Sequence, residues 1–180
     1  ASIAGRPGII VCGEMPMKNG LAEALTALAA RLDCPVLAEP LSNLRFGPHD
    51  RSHVCFRYNT WLGENPTGEP PRPEWILRFG SYPVTRHLQA FLGNEVAVHA
   101  LVEPWPRWTD PMHRVTHVLR ADPLAFCRAL LAAAPDPSPD GWHAAFIARE
   151  ATASREGTGH IGVLIDELPA NTAVFVGNSL

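Results

Sequence analysis

Short apolar runs recur along the chain, separated by stretches with a different spacing. The runs lie at 8–13, 35–39, 74–79, 95–102 and 115–119. Consecutive apolar positions over four to eight residues are typical of strands that are buried on both sides in a parallel sheet. The pattern therefore predicts strands at these five places, with the last of them at an edge of the sheet.

The stretches between these runs place apolar residues every three or four positions, which predicts helices. We expect helices at about 20–33, 52–62, 84–92, 122–134, 142–156 and 159–168. Asp122 followed by Pro123 is a strong helix start, since the aspartate caps and the proline occupies the first turn. Strand and helix alternate, so we predict an α/β fold, a Rossmann-like parallel sheet of five or six strands flanked by helices and followed by connecting helices.

Proline clusters divide the chain. The cluster at 135–139 predicts a linker, so residues 1–134 form one predicted domain and 135–170 the linker with connecting helices. Residues 171–180 then begin another strand and turn. We interpret the chain as one domain of a larger enzyme, followed by the first strand and turn of the next domain.

Composition narrows the class of protein. The chain has 180 residues, 46% of them hydrophobic, and a net charge of −3, which favours a globular domain and not a nucleic-acid-binding surface. No apolar run reaches the roughly 18 residues of a membrane span. The four cysteines are widely spaced, which predicts reduced thiols and a cytoplasmic protein.

The segment 74–88 joins a predicted strand, a Gly-Ser turn and the start of a predicted helix. Open α/β sheets hold ligands at the carboxyl ends of strands, and helix starts attract anions. Arg86 falls in the first helical turn, where a cation opposes the helix dipole, so an anionic partner would explain its position. We predict an anion-binding turn with Arg86 as its cation, and Arg45 in the 40–52 loop as a second candidate.

Other chemistry is weakly supported. The first strand-to-helix turn, 11–17, has one glycine and an acidic residue where a dinucleotide motif needs three glycines. The pairs His49/His53 and His113/His117 have i, i+4 spacing but lie outside any HExxH motif, so we interpret them as loop or surface histidines and expect no metal site. No nucleophile motif is present.

Four segments are distinctive together: RPGIIVCG at 6–13, CPVLAEPLSNLR at 34–45, LRFGSYPVTR at 77–86 and VFVGNSL at 174–180. In sequence and in order they resemble the 2-succinyl-5-enolpyruvyl-6-hydroxy-3-cyclohexene-1-carboxylate synthases, thiamine-diphosphate enzymes of menaquinone synthesis. The resemblance covers essentially the whole chain. It implies the middle domain of three, with the N-terminal and C-terminal domains of the same protein as its partners.

The resemblance also implies roles for particular residues. Arg86, Asn178 and Ser179 would contact substrate, and His87 stands where the family commonly has a second cation. Isochorismate and 2-oxoglutarate would be the substrates of a full-length homodimer or homotetramer. Thiamine diphosphate and Mg²⁺ would be held outside this chain, so no catalytic, cofactor-binding or metal-binding residue is expected within it, and it should be inactive alone.

Two other hypotheses remain open at this point. The chain could be the middle domain of another thiamine-dependent enzyme, a decarboxylase or acetolactate-synthase relative, with FAD or a nucleotide bound here. It could also be a regulatory module that recognises an acidic metabolite.

Overall fold

Six parallel strands form one open sheet in the order β3-β2-β1-β4-β5-β6. The computed structural model describes residues 3–16, 18–63, 68–153, 163–164 and 166–174. The strands are β1 (Gly8–Cys12), β2 (Val36–Ala38), β3 (Val54–Cys55), β4 (Trp75–Phe79), β5 (Val98–Val102) and β6 (His117–Leu119). This is the Rossmann strand order. The chain first extends the sheet from β1 to β3 on one side, then returns to the middle and extends it from β4 to β6 on the other side. The predicted α/β class and strand number are confirmed.

Five α-helices cover the sheet in the described part of the chain. They are α1 (Leu21–Leu32), α2 (Tyr58–Gly63), α3 (Arg86–Leu92), α4 (Pro123–Ala132) and α5 (Trp142–Thr152), and a 3₁₀ turn (Pro40–Ser42) follows β2. The predicted cap of α4 is present, because the Asp122 carboxylate accepts from the Ala125 amide at 3.1 Å. No described helix is long and apolar enough to cross a membrane.

Side chains alternate along each strand, so the sheet buries two separate cores. One face, which we call the α1–α4 face, packs strand residues such as Leu77 and Phe79 against α1 and α4. The other, the α2–α3–α5 face, packs Ile9, Val11 and Ile76 against the remaining three helices. Both faces of the central strands are buried, which explains their continuous apolar sequences.

Several predicted boundaries were wrong. The predicted helix at 52–62 is instead a short strand, β3, followed by the six-residue helix α2. The Phe56 and Arg57 amides, between these elements, donate to the Glu150 carboxylate, a partner that local spacing cannot reveal. The strand predicted at 95–102 begins only at Val98, and α5 ends at Thr152. Half of the predicted helix at 159–168 lies outside the described residues, and the described positions 163–164 and 166–167 are helical.

Candidate functional site

A cleft of about 590 Å³ lies at the carboxyl ends of the strands, above the neighbouring strands β1 and β4. The chain leaves β1 towards one edge of the sheet and leaves β4 towards the other edge. Ligands of open α/β sheets bind at this point. Its walls come from the loops after β1, β2, β4 and β5, and are formed by Glu14, Met15, Pro16, Leu41, Asn43, Ser81, Trp105 and Arg107. The topology therefore collects four loops that are distant in sequence around one opening.

The floor of this cleft is closed by backbone hydrogen bonds. Gly13 donates to the Phe79 carbonyl and Ser81 donates to the Glu14 carbonyl, both at 2.9 Å. Gly80 has a φ of +74°, and a Cβ there would lie 2.4 Å from the Glu14 carbonyl oxygen, so this close approach requires glycine. Because these amides are already paired, they do not form a cradle for a phosphate, in agreement with the missing dinucleotide motif.

The turn before α3, predicted to bind an anion, holds a carboxylate of the chain itself. Glu39, directly after β2 and only 2% exposed, accepts from the Val84 amide at 2.8 Å and the Thr85 amide at 3.3 Å. Its other oxygen accepts from the hydroxyls of Thr85 and Tyr58. The anion that this turn attracts is therefore internal, which sequence reasoning missed.

Tyr58 belongs to the same network. Its hydroxyl donates to Glu39 Oε1 at 2.5 Å and lies 3.1 Å from the Ala38 carbonyl oxygen. Burial and then the hydrogen bond to Glu39 raise the pKa of Tyr58, so the hydroxyl keeps its proton at neutral pH. An acidic residue that follows a strand at the carboxyl edge was the available sequence signal for this network.

Arg45 is tied into this network. Its Nε donates to the Ala38 carbonyl at 2.8 Å, its Nη2 to the Tyr58 hydroxyl at 3.3 Å, and its guanidinium lies 5.9 Å from the Tyr58 ring centroid. Arg86 differs, since it is exposed and pairs with none of the residues that the structure describes. The two predicted cations thus border the same edge, but only Arg86 has its guanidinium unengaged there.

The remaining predicted site residues lie elsewhere. His87 points its ring at α2, where a Cβ on Gly63 would lie 2.7 Å from His87 Nε2, so it packs between two helices. Asn178 and Ser179 lie outside the described residues. The β5 side of the cleft adds a charge network that the sequence did not suggest: Glu103, 1% exposed, accepts from the Trp105 amide at 3.1 Å and pairs with Arg107 at 3.5 Å.

All four cysteines are free and buried, in agreement with the predicted reduced thiols. Burial raises the pKa of Cys12, Cys34 and Cys55, and raises that of Cys127 to about 12. These thiols therefore stay protonated at neutral pH, and none is set up as a nucleophile.

Sequences named 2-succinyl-5-enolpyruvyl-6-hydroxy-3-cyclohexene-1-carboxylate synthase align with nearly the whole chain. The one from Dechloromonas aromatica (strain RCB) is 56% identical over 179 residues, which cover 99% of this chain. Those from Geobacillus kaustophilus (strain HTA426) and Haloarcula marismortui are 35% and 34% identical, each over 98% of it. The chain spans only about a third of these relatives, 33%, 33% and 32% of their lengths. No family model matches the chain.

Proposed function

We propose that this chain, which is homologous to the middle part of the 2-succinyl-5-enolpyruvyl-6-hydroxy-3-cyclohexene-1-carboxylate synthases, forms one wall of the active site in a full-length synthase of menaquinone biosynthesis. The observation that carries the proposal is the 56% identity over 99% of the chain. The full-length protein would decarboxylate 2-oxoglutarate and add the resulting four-carbon unit to isochorismate. It would act in the cytoplasm as a homodimer or homotetramer.

The full-length enzyme would use thiamine diphosphate and Mg²⁺, which supply the electron sink for decarboxylation and carbon–carbon bond formation. The residues present here do not fit that cofactor. The sequence has no GDG-type motif for a metal-bound diphosphate, and the amides at the floor of the cleft are paired within the chain. The cofactor would therefore be held by other parts of the full-length protein, and this chain alone would not catalyse the reaction.

The contribution of this chain would be to bind and orient substrate carboxylates. Both proposed substrates carry several negative charges, and a guanidinium can donate two parallel hydrogen bonds to one carboxylate. Arg86 is exposed beside the carboxyl edge and pairs with no described residue, whereas Arg45 already donates to Ala38 and Tyr58. Glu39 fixes the turn that carries Arg86 through the Val84 and Thr85 amides. We therefore assign the substrate contact to Arg86.

A chimeric enzyme tests both parts of the proposal. This chain would replace the matching segment of the Dechloromonas aromatica synthase, and product formation from 2-oxoglutarate and isochorismate would be followed with thiamine diphosphate and Mg²⁺. We expect the chimera to turn over and the chain by itself to form no product. Turnover by the chain alone, or a folded but inactive chimera, would contradict the proposal.

The role of Arg86 is tested in the same chimera. Arg86→Ala should raise the KM for one acidic substrate about 10- to 100-fold, since a hydrogen bond to a charged group is lost. Arg128→Ala removes an exposed arginine from α4 and serves as the matched control, with unchanged kinetics expected. Equal KM values for Arg86→Ala and the parent chimera would exclude this substrate contact while leaving the assignment to the synthases intact.

A further inference from the structure

Three side chains from separate segments meet at the amino edge of the sheet, opposite the cleft. Asp33 ends α1 in a left-handed conformation, His53 directly precedes β3, and His143 lies in the first turn of α5. Asp33 Oδ1 is 3.5 Å from His53 Nε2 and also 3.5 Å from His143 Nδ1. One potential ligand atom from each residue lies within 4.8 Å of the other two.

The two imidazoles are largely withdrawn from water. Their rings stack with centroids 3.7 Å apart and an interplanar angle of 9°, and the side chains are only 15% and 17% exposed. The Nε2 atom of His53 is buried and forms no hydrogen bond with any residue that the structure describes. Buried polar atoms are normally satisfied, so this nitrogen indicates a missing partner. On His143 the nitrogen that faces Asp33 is Nδ1.

The neighbouring loop determines which nitrogen of His53 carries the proton. The Ser52 hydroxyl lies 3.0 Å from Asp50 Oδ2 and 3.0 Å from His53 Nδ1. An ionised carboxylate can only accept, so Ser52 donates its single proton to Asp50 and its oxygen accepts from the Nδ1–H of His53. The lone pair of His53 Nε2 is thereby directed towards Asp33, and a lone pair facing a carboxylate is stabilised by a cation placed between them.

We propose that Asp33, His53 and His143 bind a divalent transition metal ion of the Zn²⁺ type. Bonds of about 2.0–2.1 Å in a tetrahedral shell separate neighbouring ligand atoms by about 3.3–3.5 Å, close to the 3.5 Å separations in the cluster. The ring planes must open from their stack for both lone pairs to reach one ion, which rotation about χ2 allows because that torsion is soft.

The donor set selects the metal. Two imidazole nitrogens and one carboxylate suit zinc, whereas Mg²⁺ and Ca²⁺ prefer shells made of oxygen. The hydrogen bond from His53 to Ser52, continued to Asp50, is the outer contact that commonly orients a ligating histidine. Asp33 is 40% exposed, which leaves a solvent side for a water ligand.

The ion would have a structural role, because it lies at the edge of the sheet opposite the cleft. It would join the end of α1, the start of edge strand β3 and the start of α5, which are otherwise linked by long stretches of chain. The amino terminus of α5 opposes a cation, while the carboxyl terminus of α1 and the Asp33 carboxylate favour it. The site therefore fastens α5 to the sheet independently of the substrate role proposed for Arg86.

Titration of the whole chain with Zn²⁺ after treatment with a chelator tests the proposal, with binding followed by calorimetry and stability by thermal unfolding. We expect one ion per cluster and, at a hundredfold excess over Kd, a rise in Tm of about 5–10 °C. Asp33→Asn, which preserves side-chain shape, and His143→Ala should each weaken binding at least about tenfold. His117→Ala removes an exposed histidine of β6 and should bind like the parent.

Substitution with Co²⁺ supplies a second readout, since coordination by the imidazoles changes its visible absorption, and Asp33→Asn should reduce this signal. The proposal fails if Zn²⁺ leaves the Tm of the parent chain unchanged. It also fails if folded Asp33→Asn and His143→Ala bind as tightly as the parent, because adventitious surface histidines would then hold the metal. Displacement by equal Mg²⁺ would overturn the assignment to a transition metal.

Discussion

The two faces of the sheet are built from the same strands but hold different kinds of residue. On the α1–α4 face, the buried strand side chains are apolar, as with Leu77 and Phe79. On the α2–α3–α5 face, Arg78 and His99 are completely buried in the neighbouring strands β4 and β5. Two buried glutamates, Glu39 and Glu150, accept hydrogen bonds on this side. One core therefore depends mainly on apolar packing, and the other also on buried carboxylates and their hydrogen bonds.

This difference explains why the second face carries the candidate chemistry. A buried charge must find partners, and those partners come from distant segments: Glu39 reaches the turn before α3, and Glu150 reaches the turn before α2. The donors around each carboxylate are then fixed in position. The loop that carries Arg86 at the carboxyl edge is fixed in this way, because Glu39 accepts hydrogen bonds from its backbone amides.

Among the buried polar side chains, the largest effect should follow removal of Glu150. Its carboxylate accepts from the Phe56 and Arg57 amides at 2.9 and 2.8 Å and from the Trp61 indole at 3.0 Å. Glu150→Ala leaves these donors unpaired and should cost about 4 kcal/mol, since bonds to charged groups contribute about 1.5–3 kcal/mol each. Tm should fall by about 8–16 °C in thermal unfolding.

Two further variants show whether acceptor capacity is the cause. Glu150→Gln keeps one oxygen acceptor and should lose about half as much stability. Glu23→Ala removes an exposed glutamate from the first turn of α1 and should cost no more than about 1 kcal/mol. If Glu150→Ala is as mild as Glu23→Ala, the distinction between the faces is wrong.

Glu39 should follow, with a loss of about 3 kcal/mol for Glu39→Ala, because the Val84 and Thr85 amides lose their acceptor. The empty turn should then accept a small carboxylate. Acetate in the tens of millimolar range should raise the Tm of Glu39→Ala but not that of the parent, measured by scanning fluorimetry. Equal responses of both proteins would show that the turn does not select an anion.

His99 should make the second face sensitive to acid. Burial, and next the charge of Arg78, lower the pKa of His99 to about 4. The unfolded chain, with an ordinary pKa near 6.5, binds the proton first, so stability is full above about pH 6.5 and falls as the pH drops towards 4. Between pH 7 and pH 5 the loss should be about 2 kcal/mol, measured by urea unfolding.

The matching substitution isolates this contribution. His99→Leu should remove about 2 kcal/mol of the difference between pH 7 and pH 5. His117→Ala, at the exposed edge strand, should keep that difference. A pH dependence that survives His99→Leu unchanged would assign the acid sensitivity to other groups.

Local pattern predicted the apolar half of this molecule well. The strands around Ile10 and Leu77 and the helix capped by Asp122 follow directly from spacing, because their partners are nearby residues of known preference. The buried carboxylates on the other face were not predicted. In the sequence Glu39 and Glu150 resemble ordinary surface acids, because their hydrogen-bond donors come from distant segments. The helix predicted at 52–62 was wrong for the same reason, because Glu150 lies 93 residues from the Arg57 amide.

The site could be predicted only in part for a related reason. The turn before α3 was identified from its glycine, its proline and Arg86, but its anion is supplied by Glu39, 45 residues away from Val84. Histidine spacing did not point to the partner of His53 either: His53 stacks on His143, while the ring of His49 lies 3.0 Å from the Leu44 carbonyl oxygen. Sequence periodicity describes which residues share a face of one helix or strand. It carries no information on contacts between side chains that are distant in sequence.

The smallest effect should come from the apolar side chains exposed at the carboxyl edge. Phe46 is 81% exposed and Trp108 60%, so neither completes a core within the described residues. Phe46→Ser should shift Tm by no more than about 2 °C, whereas Phe79→Ser, on the α1–α4 face, should cost about 3–5 kcal/mol. A large loss for Phe46→Ser would mean that the 40–52 loop packs on the sheet and covers the edge. A small loss leaves the edge open, as the proposed role of this edge as one wall of a larger active site requires.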